Sequence, residues 1–132
     1  MYIADGKTNG PAFSWPDGKR IAVMVTFDYD AEFLRISRAK SKGTSIGFTD
    51  FSRGQYGPHE GLARCLDMLD TMNIKSTFFV PGAVIETYRD TVEEIHRRGH
   101  ELACHGYRHE SDPELSRDEM IKILDKSEAL LA

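Results

Sequence analysis

Two carboxylates stand two residues apart at the end of an apolar run, in residues 25–32 (VTFDYDAE). Side chains alternate along a strand, so Asp28 and Asp30 should point to one side and Tyr29 to the other. Two carboxylates at one pocket mouth repel each other unless a cation or a shared proton relieves them. The pair therefore predicts either two solvated turn acids or a site in which one acid binds a metal ion and the other accepts a proton.

Two histidines four residues apart, His105 and His109, follow another apolar run in the segment CHGYRHE. Taken alone, the two aspartates can be explained as solvated turn residues and the two histidines as structural residues. At equivalent strand ends, however, one carboxylate and two imidazoles would form a three-ligand metal site that leaves a position for water. The other histidines are expected to be structural or exposed: His59, His96 and His100.

Strands and helices must alternate to place these motifs on one rim. Apolar runs predict strands at residues 20–27, 75–80 and 100–105. Helical spacing predicts one helix from residue 62 with Pro58 at its start, a second closing at Gly99, and a third that runs from the capping box of Ser116 and Glu119 to the end of the chain. The 30 residues after the first strand show no helical period and predict a long loop.

The order β-α-β-α-β-α indicates an α/β fold. Its crossovers should be right-handed and its sheet parallel, with the chemistry at the C-terminal ends of the strands. The run predicted for the first strand is nearly continuous in apolar residues, which is typical of a strand covered on both faces.

Composition and charge exclude several classes of partner. The chain has 132 residues, 40% apolar and 29% charged, which is ordinary for a single globular domain. A net charge of −4 provides no basic surface for nucleic acid. We see no run apolar enough for a signal peptide or a membrane span, and therefore expect a cytoplasmic protein without a membrane partner. Cys65 and Cys104 lack a CxxC spacing and are expected to be reduced thiols.

Three segments, TFDYD, STFFVPG and RRGHELACHGYRHE, resemble the polysaccharide deacetylase family, also called the NodB-homology or carbohydrate esterase 4 family. The resemblance runs in order from about Lys19 to His109. It implies the first half of a distorted (β/α)-barrel, with residues 1–132 forming a partial domain of NodB type. It also implies a divalent metal ion, zinc first and cobalt, nickel, manganese or iron as alternatives. On this sequence the family's ligands correspond to Asp30, His105 and His109, and its general base corresponds to Asp28.

The activity implied by the resemblance is metal-dependent hydrolysis of non-peptide C–N bonds, with N-deacetylation of amino sugars as the first expectation. The D-x-D spacing and the segment FSRGQYGPHEGLARCLDML resemble a branch that includes peptidoglycan deacetylase-like proteins and hydrolases of cyclic imides or ureides such as allantoin. A small cyclic substrate is therefore the alternative to a glycan amide. We also expect four residues near the motifs to contact substrate: Tyr29, Glu32, Tyr56 and Tyr107.

The chain departs from the family in length. Nothing after Glu110 resembles the family's Arg motif, its acid and Trp motif, or the late His that resembles the general acid. We therefore expect an open half-barrel in which the third strand is an unprotected edge, and either self-association or association with the missing barrel half. A truncated, inactive metal-binding half-barrel that assembles with a partner is the non-enzyme alternative.

Overall fold

The computed structural model describes residues 15–110 and 115–132. Its strands are β1 (Thr26–Asp28), β2 (Thr77–Val80) and β3 (Glu101–Cys104). Its helices are a short 3-10 turn (Pro16–Gly18), α1 (Phe33–Ser41), α2 (Phe48–Tyr56), a π turn (Gly57–Gly61), α3 (Leu62–Thr71), α4 (Gly82–Thr87), α5 (Arg89–Arg97) and α6 (Arg117–Leu131).

The three strands form one parallel sheet in the order β1-β2-β3, which confirms the predicted topology. Phe78 lies at the centre of β2, 1% exposed, and its ring stacks on Phe27 of β1 at 5.0 Å. The core contains buried aliphatic side chains from β2 and from helices α3, α4 and α5: Leu62, Leu66, Leu69, Val80, Val84, Ile85, Val92 and Ile95. Burial of these side chains holds the helices on the sheet.

The first strand is shorter than predicted. Only Thr26–Asp28 pair with β2, and the preceding apolar residues Ile21, Val23 and Met24 are 75%, 79% and 89% exposed. Among the described residues β1 has a single neighbouring strand, so the rest of the run has no ladder to join. The prediction that this run is covered on both faces is wrong here, because an apolar run does not specify which element covers it.

The predicted long loop is also wrong, because α1 and α2 lie within it. Helical conformation then continues through the π turn into α3, with Gly57, Gly61 and Leu62 all in the right-handed region. The helix therefore does not begin at Pro58, which lies buried within the π turn. In the π turn the Leu62 amide donates to the Gly57 carbonyl, five residues back.

Two helix ends lie where the glycine and the capping box in the sequence predict them. Gly99, with φ +77°, follows the end of α5, and the Ser116 side chain accepts the Glu119 amide while the Glu119 carboxylate accepts the Ser116 amide. The predicted second helix is, however, two helices, α4 and α5. They are separated at Tyr88, whose φ of −126° and ψ of 42° are not helical.

Cys65 on α3 and Cys104 at the end of β3 are free thiols, as expected. Both are partly buried. In the part of the chain that the structure describes, no helix has the length and apolar character needed to cross a membrane.

Candidate metal centre

The two chemical motifs meet at the C-terminal edge of the sheet. Asp30 lies two residues beyond β1, and His105 directly follows β3. His105 Nε2 lies 3.5 Å from Asp30 Oδ1, and His109 Nε2 lies 4.0 Å from Asp30 Oδ2. The two imidazole rings are 4.9 Å apart and nearly perpendicular. One ligand atom from each residue lies within 4.8 Å of the others, so three predicted site residues converge.

The segments that carry these side chains are held by the neighbouring elements. The Tyr29 amide donates to the Phe79 carbonyl of β2 at 2.8 Å, which fixes the chain one residue before Asp30. On the other side of the site, Ser37 Oγ of α1 donates to the His109 carbonyl at 2.5 Å. His109 itself has φ +59°, a left-handed conformation that costs a non-glycine residue roughly 1–2 kcal/mol. The Ser37 contact is one of the interactions that offset this cost.

The Asp30 carboxylate is mostly buried and lies beside two imidazoles. Burial raises the pKa of Asp30, while His109 and His105 lower it, the nearby Asp28 raises it and Arg38 lowers it. Asp30 Oδ1 and His105 Nε2 are buried without a hydrogen-bond partner among the described residues. Buried polar atoms of this kind normally have a partner.

The donor set fits a divalent metal ion. Ligands at about 2.1 Å from a tetrahedral zinc ion lie roughly 3.4 Å from one another. The observed separations of 3.5 and 4.0 Å between Asp30 and the two histidines are close to that value. A cation between them would satisfy both unpartnered atoms, Asp30 Oδ1 and His105 Nε2.

Asp28 stands at the end of β1, next to the three converging residues. It is exposed, and it lines an open cleft together with Asp30, Arg35 and Arg38. Its charge contributes to the raised pKa of Asp30. The position is therefore open to water and close to the metal ligands, which suits a proton acceptor; the role itself stays a prediction.

Comparison with known proteins places the chain among its relatives. Residues 16–132 match the sequence profile of the family described as polysaccharide deacetylase. The chain belongs to the polysaccharide deacetylase family. The resemblance in the TFDYD, STFFVPG and CHGYRHE segments is thus confirmed at the level of the family.

Curated deacetylase relatives match most of this chain. It is 32% identical over 110 residues to the peptidoglycan deacetylase-like protein FGM2 of Gibberella zeae, covering 82% of this chain and 32% of that protein. It is 33% identical over 113 residues to the peptidoglycan deacetylase of Helicobacter pylori, covering 86% of this chain and 38% of that protein. The match therefore spans 32% and 38% of the length of these two relatives.

Solved structures of this fold agree with the partial barrel. A crystal structure from Mycobacterium smegmatis, assigned to the polysaccharide deacetylases, superposes with a TM-score of 0.80 at 40% identity, over 92% of this chain and 43% of that chain. The Puue allantoinase superposes with a TM-score of 0.77 at 19% identity, over 89% of this chain and 44% of that chain. The first half of a NodB-type barrel is confirmed as the fold.

Two of the four predicted substrate contacts in this deacetylase-family chain are buried. Tyr29 is 6% exposed, and its hydroxyl lies 2.8 Å from Thr91 Oγ1. Burial raises the pKa of Tyr29 to about 12, so the phenol stays protonated in the neutral range. Glu32 is 5% exposed, and both of its carboxylate oxygens lie 3.0 Å from the Tyr88 hydroxyl. The polar atoms of both residues thus contact the protein itself.

The other two predicted contacts lie nearer the surface. Tyr56 is 55% exposed at the end of α2. The Tyr107 hydroxyl donates to Glu86 Oε2 at 2.7 Å, and Lys126 Nζ lies 3.6 Å from the centre of its ring. Tyr107 therefore connects the histidine segment to α4 and α6. Substrate binding by any of these four residues stays a prediction.

The remaining histidines are structural or exposed, as expected. His100 is 3% exposed at the start of β3, where its Nδ1 accepts the Ser76 amide at 3.2 Å. His59 and His96 are exposed on helical segments. Sequence reasoning missed the contacts of Ser37 with the His109 carbonyl and of Tyr88 with Glu32. The Phe33 and Ile36 spacing is the weak helical signal that could have placed Ser37 on a helix.

Proposed function

We propose that this chain carries the metal-binding part of a hydrolase site for non-peptide C–N bonds, with N-deacetylation of amino sugars as its reaction. The observation that supports it is the convergence of Asp30, His105 and His109 beside the exposed carboxylate of Asp28. The names of the curated relatives, both peptidoglycan deacetylases or deacetylase-like proteins, support a glycan amide as the substrate.

Asp30, His105 and His109 would hold a divalent cation through the atoms that face one another. An imidazole and carboxylate donor set suits zinc first, with cobalt, nickel, manganese or iron as alternatives. When bound, such an ion polarises an amide carbonyl and lowers the pKa of water toward neutrality.

Asp28 is the proton acceptor in this proposal. Its carboxylate lies in an open cleft and can take a proton from the attacking water as the water adds to the amide carbon. The C–N bond then breaks, giving a carboxylic acid and a free amine. The leaving nitrogen also needs a proton, and we expect its donor to lie outside this chain.

Hydrolysis of a cyclic imide or ureide is the second candidate. The D-x-D spacing of Asp28 and Asp30 is compatible with it, because this spacing resembles a branch of the family that includes such hydrolases as well as peptidoglycan deacetylase-like proteins. The same metal ligands and base could act on a ring amide, so the substrate assay must include both bond types.

Metal content tests the ligand assignment. The parent chain, loaded with Zn²⁺ and dialysed, should retain about one ion per chain, and His105→Ala should lose most of it because three-ligand sites depend on each ligand. His96→Ala is the matched control, since His96 is exposed on α5 away from the site, and it should retain the ion. Equal metal content in the parent and in His105→Ala would refute the assignment.

Product analysis then tests the reaction. Acetate release from N-acetylglucosamine oligomers by the metal-loaded protein, absent in His105→Ala, would support deacetylation. Ring opening of a cyclic ureide without acetate release would support the second candidate. Metal binding without either reaction would support the non-enzyme alternative, a metal-binding half-barrel.

A further inference from the structure

We infer that Glu32 and Tyr88 form a clamp that positions the Asp30 carboxylate for metal binding. The inference rests on the proposed metal site. It concerns the Asp30 loop, residues 29–32, and the junction between α4 and α5 at Tyr88. Glu32 and Tyr88 are positioning residues, because they act on the site through the loop.

The Asp30 loop needs external support. Ala31 has φ +49°, a left-handed conformation that is unfavourable for any residue with a Cβ atom. Such a conformation persists when the surrounding contacts impose it. Within the loop, the Phe33 amide donates to the Asp30 carbonyl at 3.0 Å, which closes the turn into α1. Backbone bonds also anchor both ends of the loop, because the Tyr29 amide donates to the Phe79 carbonyl and the Glu32 carbonyl accepts the Arg35 and Ile36 amides. The side chains of Tyr29 and Glu32 add restraint on either side of Asp30.

Glu32 supplies one of these restraints. It is 5% exposed, and a buried carboxylate is costly unless it is hydrogen-bonded. The Tyr88 hydroxyl is 3.0 Å from each of its oxygens, and a hydrogen bond to a charged acceptor contributes about 1.5–3 kcal/mol. Tyr88 is also well fixed, because it lies between two helices that both contact the core.

Tyr29 supplies a second restraint to the same junction. Thr91 Oγ1 donates its proton to the Tyr88 carbonyl at 2.7 Å. The Thr91 oxygen can therefore only accept from the Tyr29 hydroxyl, which lies 2.8 Å away. The residues one before and two after Asp30 are thus both bonded to residues 88–91.

Helix α2 limits the loop from another side. A Cβ atom built on Gly54 would lie 2.4 Å from the Glu32 Cα atom, so the backbone of α2 contacts the loop directly. Glu32 is held between this backbone and the Tyr88 hydroxyl. Loss of that hydroxyl should leave the carboxylate buried without its donor, push Glu32 toward water and displace Asp30 with it.

Zinc affinity measured by competition with a chromogenic chelator tests the clamp without any assay of activity. Tyr88→Phe should weaken Zn²⁺ binding by about tenfold or more, the usual effect of removing a partner that orients a ligand. Glu32→Gln keeps an acceptor for the Tyr88 hydroxyl and should stay within a few-fold of the parent, whereas Glu32→Ala should match Tyr88→Phe. The visible spectrum of bound Co²⁺ should change in Tyr88→Phe and Glu32→Ala.

Arg98→Gln is the control for a general loss of stability. Arg98 pairs with Asp67, Asp70 and Glu94 between α3 and α5, so this variant should unfold more easily while keeping parental zinc affinity. Tyr29→Phe, which removes only the bond to Thr91, replaces Tyr88→Phe if that variant does not fold, and should also weaken zinc binding.

The outcomes separate this inference from the proposed function. Parental zinc affinity in Tyr88→Phe, with the expected loss in His105→Ala, would overturn the clamp and leave the metal site intact. No difference between the parent and His105→Ala would overturn the metal site itself. If Glu32→Gln lost as much affinity as Glu32→Ala, the charge of Glu32 and not its bond to Tyr88 would be decisive, and the clamp would again be wrong.

Discussion

Asp28 and Asp30 are two residues apart and have different environments. The Asp30 side chain is 12% exposed, faces two imidazoles and has a pKa that burial raises. Asp28 is exposed at the mouth of the same cleft. In the proposed function, their environments rather than the residue type would assign the role of ligand to Asp30 and that of base to Asp28.

Replacing Asp28 by asparagine tests its role as a base. Asp28→Asn keeps the shape of the side chain but cannot accept the proton, so amide hydrolysis should fall by roughly 10²-fold or more. Metal content should be unchanged, because Asp28 is not among the three converging ligands. Steady-state kinetics and metal analysis on the same preparation check this prediction, and parental turnover in the variant would contradict it.

His100 should make stability depend on pH. Burial, and secondarily Lys75, lowers its pKa, so the folded chain holds a neutral ring that accepts the Ser76 amide. The unfolded chain protonates this ring near pH 6.5 and then binds more protons than the folded chain. The contribution of His100 to the free energy of unfolding is therefore complete above about pH 6.5 and declines as the pH falls below that value.

Urea unfolding at pH 7.5 and 5.5 measures this contribution. The parent should lose more stability between the two values than His100→Phe, which keeps a buried ring without a titrating group. An equal loss in both proteins would show that the buried imidazole does not titrate differently in the folded chain.

At the scale of elements, the sequence predicts what local patterns encode. The parallel strands, the capping box at Ser116 and the two ligand motifs at strand ends all follow from short-range spacing. The contact of Ser37 with His109 joins residues 72 apart, and that of Tyr88 with Glu32 joins residues 56 apart. No local pattern specifies such contacts, so the sequence predicts which three residues converge but not which residues hold their segments.

Helix α2, which lies where the sequence predicts a loop, also shows that local patterns do not specify long-range contacts. Gly54 and the glycines beside it indicate a loop when only local propensity is considered. In the structure, Gly54 is a helical residue because the backbone of α2 packs against Glu32 with no room for a side chain. Packing with a distant segment thus decides a position that propensity alone assigns to a loop.

Gly54→Ala tests this close approach. The added Cβ atom would meet backbone and Cβ atoms of Glu32 at 2.4–2.9 Å, and such overpacking costs about 1–3 kcal/mol or more. Gly57→Ala is the matched control, since its Cβ would only reach a Tyr29 ring atom at 3.9 Å, and a helical Gly→Ala change is worth about 0.5–1 kcal/mol in the stabilising direction. The midpoint of thermal unfolding should fall for Gly54→Ala and rise for Gly57→Ala.

At the scale of the whole molecule, the sheet is open. The chain covers 43% and 44% of the two solved structures to which it is similar, and β1 has one strand neighbour among the described residues. Beside β1 lie Ile21, Val23 and Met24, all strongly exposed. An unpaired edge next to exposed apolar side chains favours pairing with another chain.

We predict that the purified chain self-associates through this edge and turns over substrate slowly. Light scattering should show a mass above that of one chain, and Val23→Lys should reduce it because a charged side chain opposes edge pairing. Met72→Lys is the control, since Met72 is also exposed, at 59%, but lies at the end of α3. A monomer with turnover of about 1 s⁻¹ or more, within the usual range of enzymes, would contradict both parts.

The π turn at Gly57–Gly61 fixes how far α3 is rotated about the helix axis relative to α2. The two helices make different contacts. Each residue turns a helix by about 100° around its axis. If one residue of the π turn were deleted while α3 kept its buried face on the core, α2 would rotate and Gly54 would no longer face Glu32. Exposed His59 should therefore accept replacement by alanine yet not deletion, and circular dichroism melts of the two variants would show it. At position 59 the presence of a residue, more than its identity, thus fixes how α2 and α3 are rotated relative to each other.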